Sequence, residues 1–143
     1  MTKPAMPYFT LEEANATLPY VRSIVTDVVG AYDEWRDCVA RYEVMAAKSR
    51  SDVGETDEQV ALRTEVDRIA RRIGDYLSEL ESVGCTFKGF DDGIVDFLSQ
   101  QDGRDIYLCW KLGEPEITHW HELDAGFAGR QILTAEFASG EGR

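Results

Sequence analysis

The chain contains two histidines, His119 and His121, set in the run Ile117-Thr118-His119-Trp120-His121-Glu122-Leu123. Alternate side chains of a strand share a face, so the two imidazoles would point the same way, about 7 Å apart at the backbone. That spacing lets both ligate one divalent ion if carboxylates complete the shell. Glu114, Glu116 and Asp124 are the nearest acids, and Asp124 with the two histidines makes the candidate metal set. A general acid or base role also suits an imidazole, although no nucleophile or oxyanion donor can be placed beside His121 from the sequence. The competing reading is that histidines beside tryptophans pack or hydrogen-bond and bind nothing.

Downstream, Asp124 to Gln131 reads D-A-G-F-A-G-R-Q. Two glycines three apart free the backbone, and exposed amides beside the Arg130 guanidinium could hold a carboxylate or phosphate. Arg130 and Glu114 are therefore the candidate ligand-binding pair. The plainer alternative is a glycine-rich turn whose arginine pairs with a neighbouring acid. A third cluster, Asp33, Glu34 and Asp37 with Asp75 and Glu79, lacks the Glu-x-x-His pairs of helical carboxylate metal sites and reads as solvent-facing charge. Cys38, Cys85 and Cys109 are odd in number with no CxxC, which points to buried reduced thiols and away from a disulfide framework or zinc knuckle.

Elements that could position these residues follow from the periodicity. Thr10 and Glu13 fit a capping box, so a helix begins near Leu11. Pro19 predicts a break or kink, making a short N-terminal capping helix ahead of the main one. Val21, Val28, Trp35 and Tyr42 then recur as a heptad stripe. After the polar stretch Ser49 to Asp57, a second stripe runs through Leu62, Val66, Ile69, Ile73, Tyr76, Leu80 and Val83, with Gly84 as its C-terminal cap. Two stripes joined by a loop predict an antiparallel helical hairpin over residues 1–84. Gly30 and Gly74 would face each other across it, either for close backbone approach or to make room for an aromatic side chain.

Beyond Gly84 the texture becomes β-rich, in the runs Thr86 to Phe90, Ile94 to Leu98, Ile106 to Leu112 and Ile117 to Leu123. The turn signals Asp91-Asp92-Gly93 and Gln101-Asp102-Gly103 predict an antiparallel meander over residues 85–138. A four-residue loop at Gly113–Glu116 would set Trp110 opposite His119 and Leu108 opposite His121. Residues 139–143 read as a frayed tail. The expected fold is α+β: a long antiparallel helical hairpin followed by a small antiparallel β-meander, all in one domain over 1–143.

At 143 residues the chain can bury a core without staples. It holds 27 acidic and 15 basic side chains, a formal charge of −12. The acid is spread evenly, with 16 acidic and 10 basic side chains in residues 1–84 and 11 and 5 in residues 85–143. Arg68, Arg71 and Arg72 interleave with Glu65, Asp67 and Asp75, so no basic cluster survives to displace counterions from phosphates, which argues against nucleic-acid and anionic-membrane partners. No apolar run approaches the ~20 residues of a membrane span, and residues 1–7 lack a signal-peptide pattern. The expected location is cytoplasmic.

The run L-C-W-K-L-G-E-P-E-I-T-H-W-H-E-L-D-A-G-F-A-G-R-Q, Leu108 to Gln131, resembles the closing signature of an uncharacterised bacterial family, domain of unknown function 2203. The opening Tyr8-Phe9-Thr10-Leu11-Glu12-Glu13-Ala14-Asn15 and the G-I-V-D-F of Gly93 to Phe97 are similar to it too. The resemblance spans nearly the whole chain and implies a complete, stand-alone bacterial protein, but it carries over no activity, cofactor or site residue. From the residues, the first functional expectation is a noncatalytic interaction or structural protein. It would be a homo-oligomer, in first instance a homodimer, burying spare seam residues such as Val29, Met45, Ala70 and Leu77. The alternative is a metal- or small-anion-binding protein, extending to a hydrolase, with a divalent ion around His119 and His121.

Overall fold

A computed structural model describes residues 8–49 and 54–135. The expected tail at 139–143, the centre of the interhelical loop and the extreme N-terminus lie outside the described residues.

Helix α1, Leu11–Lys48, opens on the expected capping box: Thr10 Oγ1 accepts from the Glu13 amide at 3.0 Å, and the Glu13 carboxylate accepts from the Thr10 amide at 2.9 Å. Pro19 does not divide it. The separate capping helix is corrected to one continuous helix of 38 residues. Pro19 lies on the exposed side of α1 while Ala14, Leu18 and Val21 on the other side are buried, so the packed side holds the helix together across the missing hydrogen bond.

Helix α2, Asp57–Val83, has its own capping box from Thr56 and Gln59, and ends on Gly84 in the left-handed region with φ 107°. Its stripe packs against α1 in an outer cluster of Ala31, Cys38, Ile69 and Ile73. Gly30 and Gly74 perform neither role considered for them. Both are exposed, and a Cβ added at either would meet nothing within 4 Å.

The C-terminal half is a five-stranded sheet, antiparallel and in simple meander order: β1 Thr86–Gly89, β2 Ile94–Gln101, β3 Arg104–Lys111, β4 His119–Glu122 and β5 Gln131–Ile132. The β2–β3 hairpin turns on Asp102 and Gly103, both with positive φ, the two-residue turn whose twist suits paired strands. One face of the sheet carries Val95, Phe97, Leu108 and Trp110 into the main core against Leu18, Val21, Val25 and Val28 of α1 and Leu80 of α2. This is the α+β architecture expected: a helical hairpin with a sheet laid against it.

The register between β3 and β4 is shifted by one residue from expectation. Cys109 stands opposite His119, and Tyr107 opposite His121. The connection is longer than four residues, because Leu112 and Ile117 leave the ladder: the Leu112 amide bonds the Gly93 carbonyl at 2.9 Å and the Ile117 amide bonds Asn15 Oδ1 of α1 at 2.8 Å. A one-residue slip exchanges the faces. Trp110 and Trp120 consequently both turn toward the helices, and the histidines turn away from them.

Candidate functional site

If the outer face of the sheet met only water its side chains would be exposed, and three of them are buried. Asp96 of β2 pairs in register with Cys109 of β3, and His121 of β4 lies on the same face one strand further on. All three are buried, with side-chain exposures of 3% for Asp96 and 2% for His121 and a relative exposure of 0% for Cys109. His121 Nε2 lies 3.0 Å from Asp96 Oδ1, and His121 Nδ1 lies 2.7 Å from the Glu122 carbonyl oxygen.

These contacts fix the proton count. A carbonyl only accepts, so Nδ1 carries a hydrogen and donates it to Glu122. The contact from Nε2 to a carboxylate oxygen then requires a second hydrogen between them, whichever partner holds it. The pair is therefore neutral overall, as its depth demands.

Cys109 completes the cluster without being a nucleophile. Burial, reinforced by the adjacent Asp96 charge, pushes its thiol up to about 12, so without a cation to displace its proton it stays a thiol.

A cleft of about 250 Å³ opens beside the pair, lined by Asp96, His121 and Tyr107 with Ile94, Leu123 and Phe127. Lys88 and Gly126 complete its rim. The Tyr107 and His121 rings sit 5.5 Å apart. Lys88 is exposed and has no ion-pair partner among the described residues.

The other residues singled out in the sequence take different places. Arg130 Nη2 meets both Glu114 oxygens at 2.8 Å, its guanidinium lies 4.7 Å from the centre of the Phe127 ring, and Glu114 Oε1 also accepts from the Lys111 amide at 2.8 Å. Arg130 and Glu114 thus form an internal clamp that ties the glycine-rich turn to the β3–β4 loop. Gly129 is required there, since a Cβ would fall 2.6 Å from that of Ala125. His119 Nδ1 turns to Thr118 Oγ1 at 2.9 Å and stands 3.9 Å from Glu114 Oε2. The two histidines share a face but not a centre: His119 joins the clamp, His121 joins Asp96. Asp124 is exposed and outside both groups. On the helices, Asp33 pairs with Arg36, Asp37 with Arg41 and Glu34 with Arg72, while Glu79 accepts from Tyr20.

Asp96 and Cys109 were missed as site residues because no short spacing joins them to His121. The available signal was an acid in the middle of the apolar run Ile94-Val95-Asp96-Phe97-Leu98, where a charge must have a partner. The model of an uncharacterized conserved protein family, DUF2203, matches residues 7–133. The chain belongs to the DUF2203 family. No curated protein and no solved structure matches it. Among the described residues of this DUF2203 protein, no helix is long and apolar enough to cross a membrane.

Proposed function

We propose that this DUF2203 protein binds a small ligand on the outer face of its sheet, with the helical hairpin serving as the scaffold that holds the sheet in shape. The observation that carries the reading is the Asp96–His121 pair, buried yet lining the wall of a cleft. An ionisable pair taken out of water forfeits several kcal/mol of hydration per ion, and apolar residues would fill the same space at less cost. Such groups beside a concave surface are a mark of binding sites.

The cleft selects its ligand by size and charge. About 250 Å³ accommodates roughly ten non-hydrogen atoms. Tyr107 and Phe127 offer ring faces, and Lys88 offers a cation without a carboxylate partner among the described residues, so a small planar carboxylic acid fits best. Benzoate is the probe. In saturation-transfer NMR on metal-stripped protein it is expected to bind with Kd of about 1 mM or lower, a free energy of about −4 kcal/mol. Phe127→Ala should abolish the transfer and Lys88→Ala should weaken binding about threefold. No transfer to benzoate in the wild-type protein would sink this reading.

A homo-oligomeric interaction protein is the second reading. Of the four seam residues expected to dock a partner, Val29 and Leu77 pack against the main core, Met45 is half-buried and Ala70 is exposed. What favours association is the far end of the hairpin, where Val44 is 53% exposed beside an apolar groove lined by Ala40, Met45 and Leu62. A dimer in light scattering at micromolar concentration that becomes monomeric in Val44→Glu would support it, and a wild-type monomer would remove it. Three free, buried cysteines suit a reducing compartment, and on that ground we place the protein in the cytoplasm.

A further inference from the structure

We infer that Asp96, Cys109 and His121 form a three-ligand Zn²⁺ site whose fourth position opens on the cleft. The inference rests on the same outer-face site as the ligand-binding reading and names the ion that would sit at its base.

The donor set comes first. One carboxylate oxygen, one thiol sulfur and one imidazole nitrogen lie within 4.8 Å of one another, all buried. A tetrahedral zinc with Zn–S near 2.3 Å and Zn–N and Zn–O near 2.1 Å holds its donors roughly 3.3 to 3.6 Å apart. The Nε2 to Oδ1 separation is 3.0 Å, so for an ion to replace the shared proton that hydrogen bond has to open by a few tenths of an ångström and the sulfur, within 4.8 Å of both, has to draw in. This mixture of soft sulfur, imidazole and carboxylate suits zinc above magnesium or calcium, which take oxygen ligands.

Orientation of the imidazole comes second. A metal-binding histidine ordinarily donates its far ring nitrogen to a carbonyl or carboxylate, which fixes the tautomer and aims the other nitrogen at the ion. His121 Nδ1 donates to the Glu122 carbonyl at 2.7 Å and leaves Nε2 facing Asp96. His119, turned to Thr118 and Glu114, does not do this.

Charge balance comes third. Without metal the cluster holds a neutral thiol and a neutral Asp–His pair. Zinc entry releases two protons, the thiol hydrogen and the hydrogen shared by the pair, leaving Zn²⁺, a thiolate, a carboxylate and a neutral imidazole. The net charge is zero before and after, so the exchange adds no net charge to a buried place. Asp96 and His121 also line the cleft, which puts the open fourth position where water or a ligand carboxylate could reach it.

The test uses untagged full-length protein, stripped with a chelator and dialysed against zinc or cobalt chloride under reductant. Elemental analysis should give about one zinc per chain. The cobalt form should show a thiolate-to-metal charge-transfer band in the near ultraviolet. Cys109→Ala should lose both, whereas Cys38→Ala and Cys85→Ala should keep both, which separates loss of a ligand from loss of the fold. The proposal is overturned if the wild-type protein takes up no metal and shows no band, or if the band survives in Cys109→Ala. Because benzoate binding is read on stripped protein, absence of the band with that binding intact would remove the zinc centre and leave the cleft reading standing.

Discussion

Replacing Asp96 by valine in metal-free protein is expected to lower unfolding free energy by about 3 kcal/mol, since it leaves the buried His121 Nε2 without a partner. His121→Leu should cost more, about 4 kcal/mol, because the carboxylate that remains is 3% exposed and must either take up a proton or stay charged in the interior. The informative variant is the double one. Asp96→Val with His121→Leu removes both polar groups together, so the penalty for an unpaired partner vanishes and the loss should fall to about 2 kcal/mol or less. Urea denaturation of the four proteins closes the cycle. A double variant as unstable as the two single losses added together would mean that the residues are not paired as described. Full loss of benzoate or zinc binding in a well-folded double variant would show a pair retained for function at no benefit to stability.

Gly93→Ala should be nearly as damaging, at about 3 kcal/mol, with no change in charge. Gly93 closes the β1–β2 turn at φ +72°, where an L side chain is strained by about 1 to 2 kcal/mol. Its added Cβ would also lie 2.8 Å from Val25 Cγ1 and 2.9 Å from Leu112 Cβ, forcing α1 and the β3–β4 connection apart. The Gly93 carbonyl accepts from the Leu112 amide at 2.9 Å, so the same displacement loosens the loop that carries Glu114. Thermal unfolding of Gly93→Ala beside Gly30→Ala checks this: Gly30 has open space around it and should tolerate the methyl group. Equal midpoints for the two variants would refute the steric account.

Local rules were enough to read most of the architecture. The Thr10 capping box, the Gly84 cap, both apolar stripes and the Asp102-Gly103 hairpin each rest on residues a few positions apart, and each stands in the structure. The break expected at Pro19 did not form, because the residue sits on the exposed side of a helix whose other side is packed. The β3–β4 register was misread because loop length was inferred from Gly113 to Glu116 alone. What sets it is that both Trp110 and Trp120 must reach the helices, and that Asn15, 102 residues earlier in the chain, captures the Ile117 amide.

The site divides along the same line. His121, Arg130 and Glu114 are conspicuous by residue type, and the sequence by itself marked the C-terminal half as the place of unusual chemistry. It also determined the acidity, the helical hairpin and the meander, since these follow from composition and periodicity. Only the tertiary structure decided which residues meet. His121 takes its partner from Asp96, 25 positions away on β2, and Cys109 enters through a register that one misplaced loop residue would have reversed. The physical reason is that strand pairing joins residues by register and face, neither of which leaves a short-range spacing to be read, whereas helix caps and turns are held by bonds between neighbours in the chain.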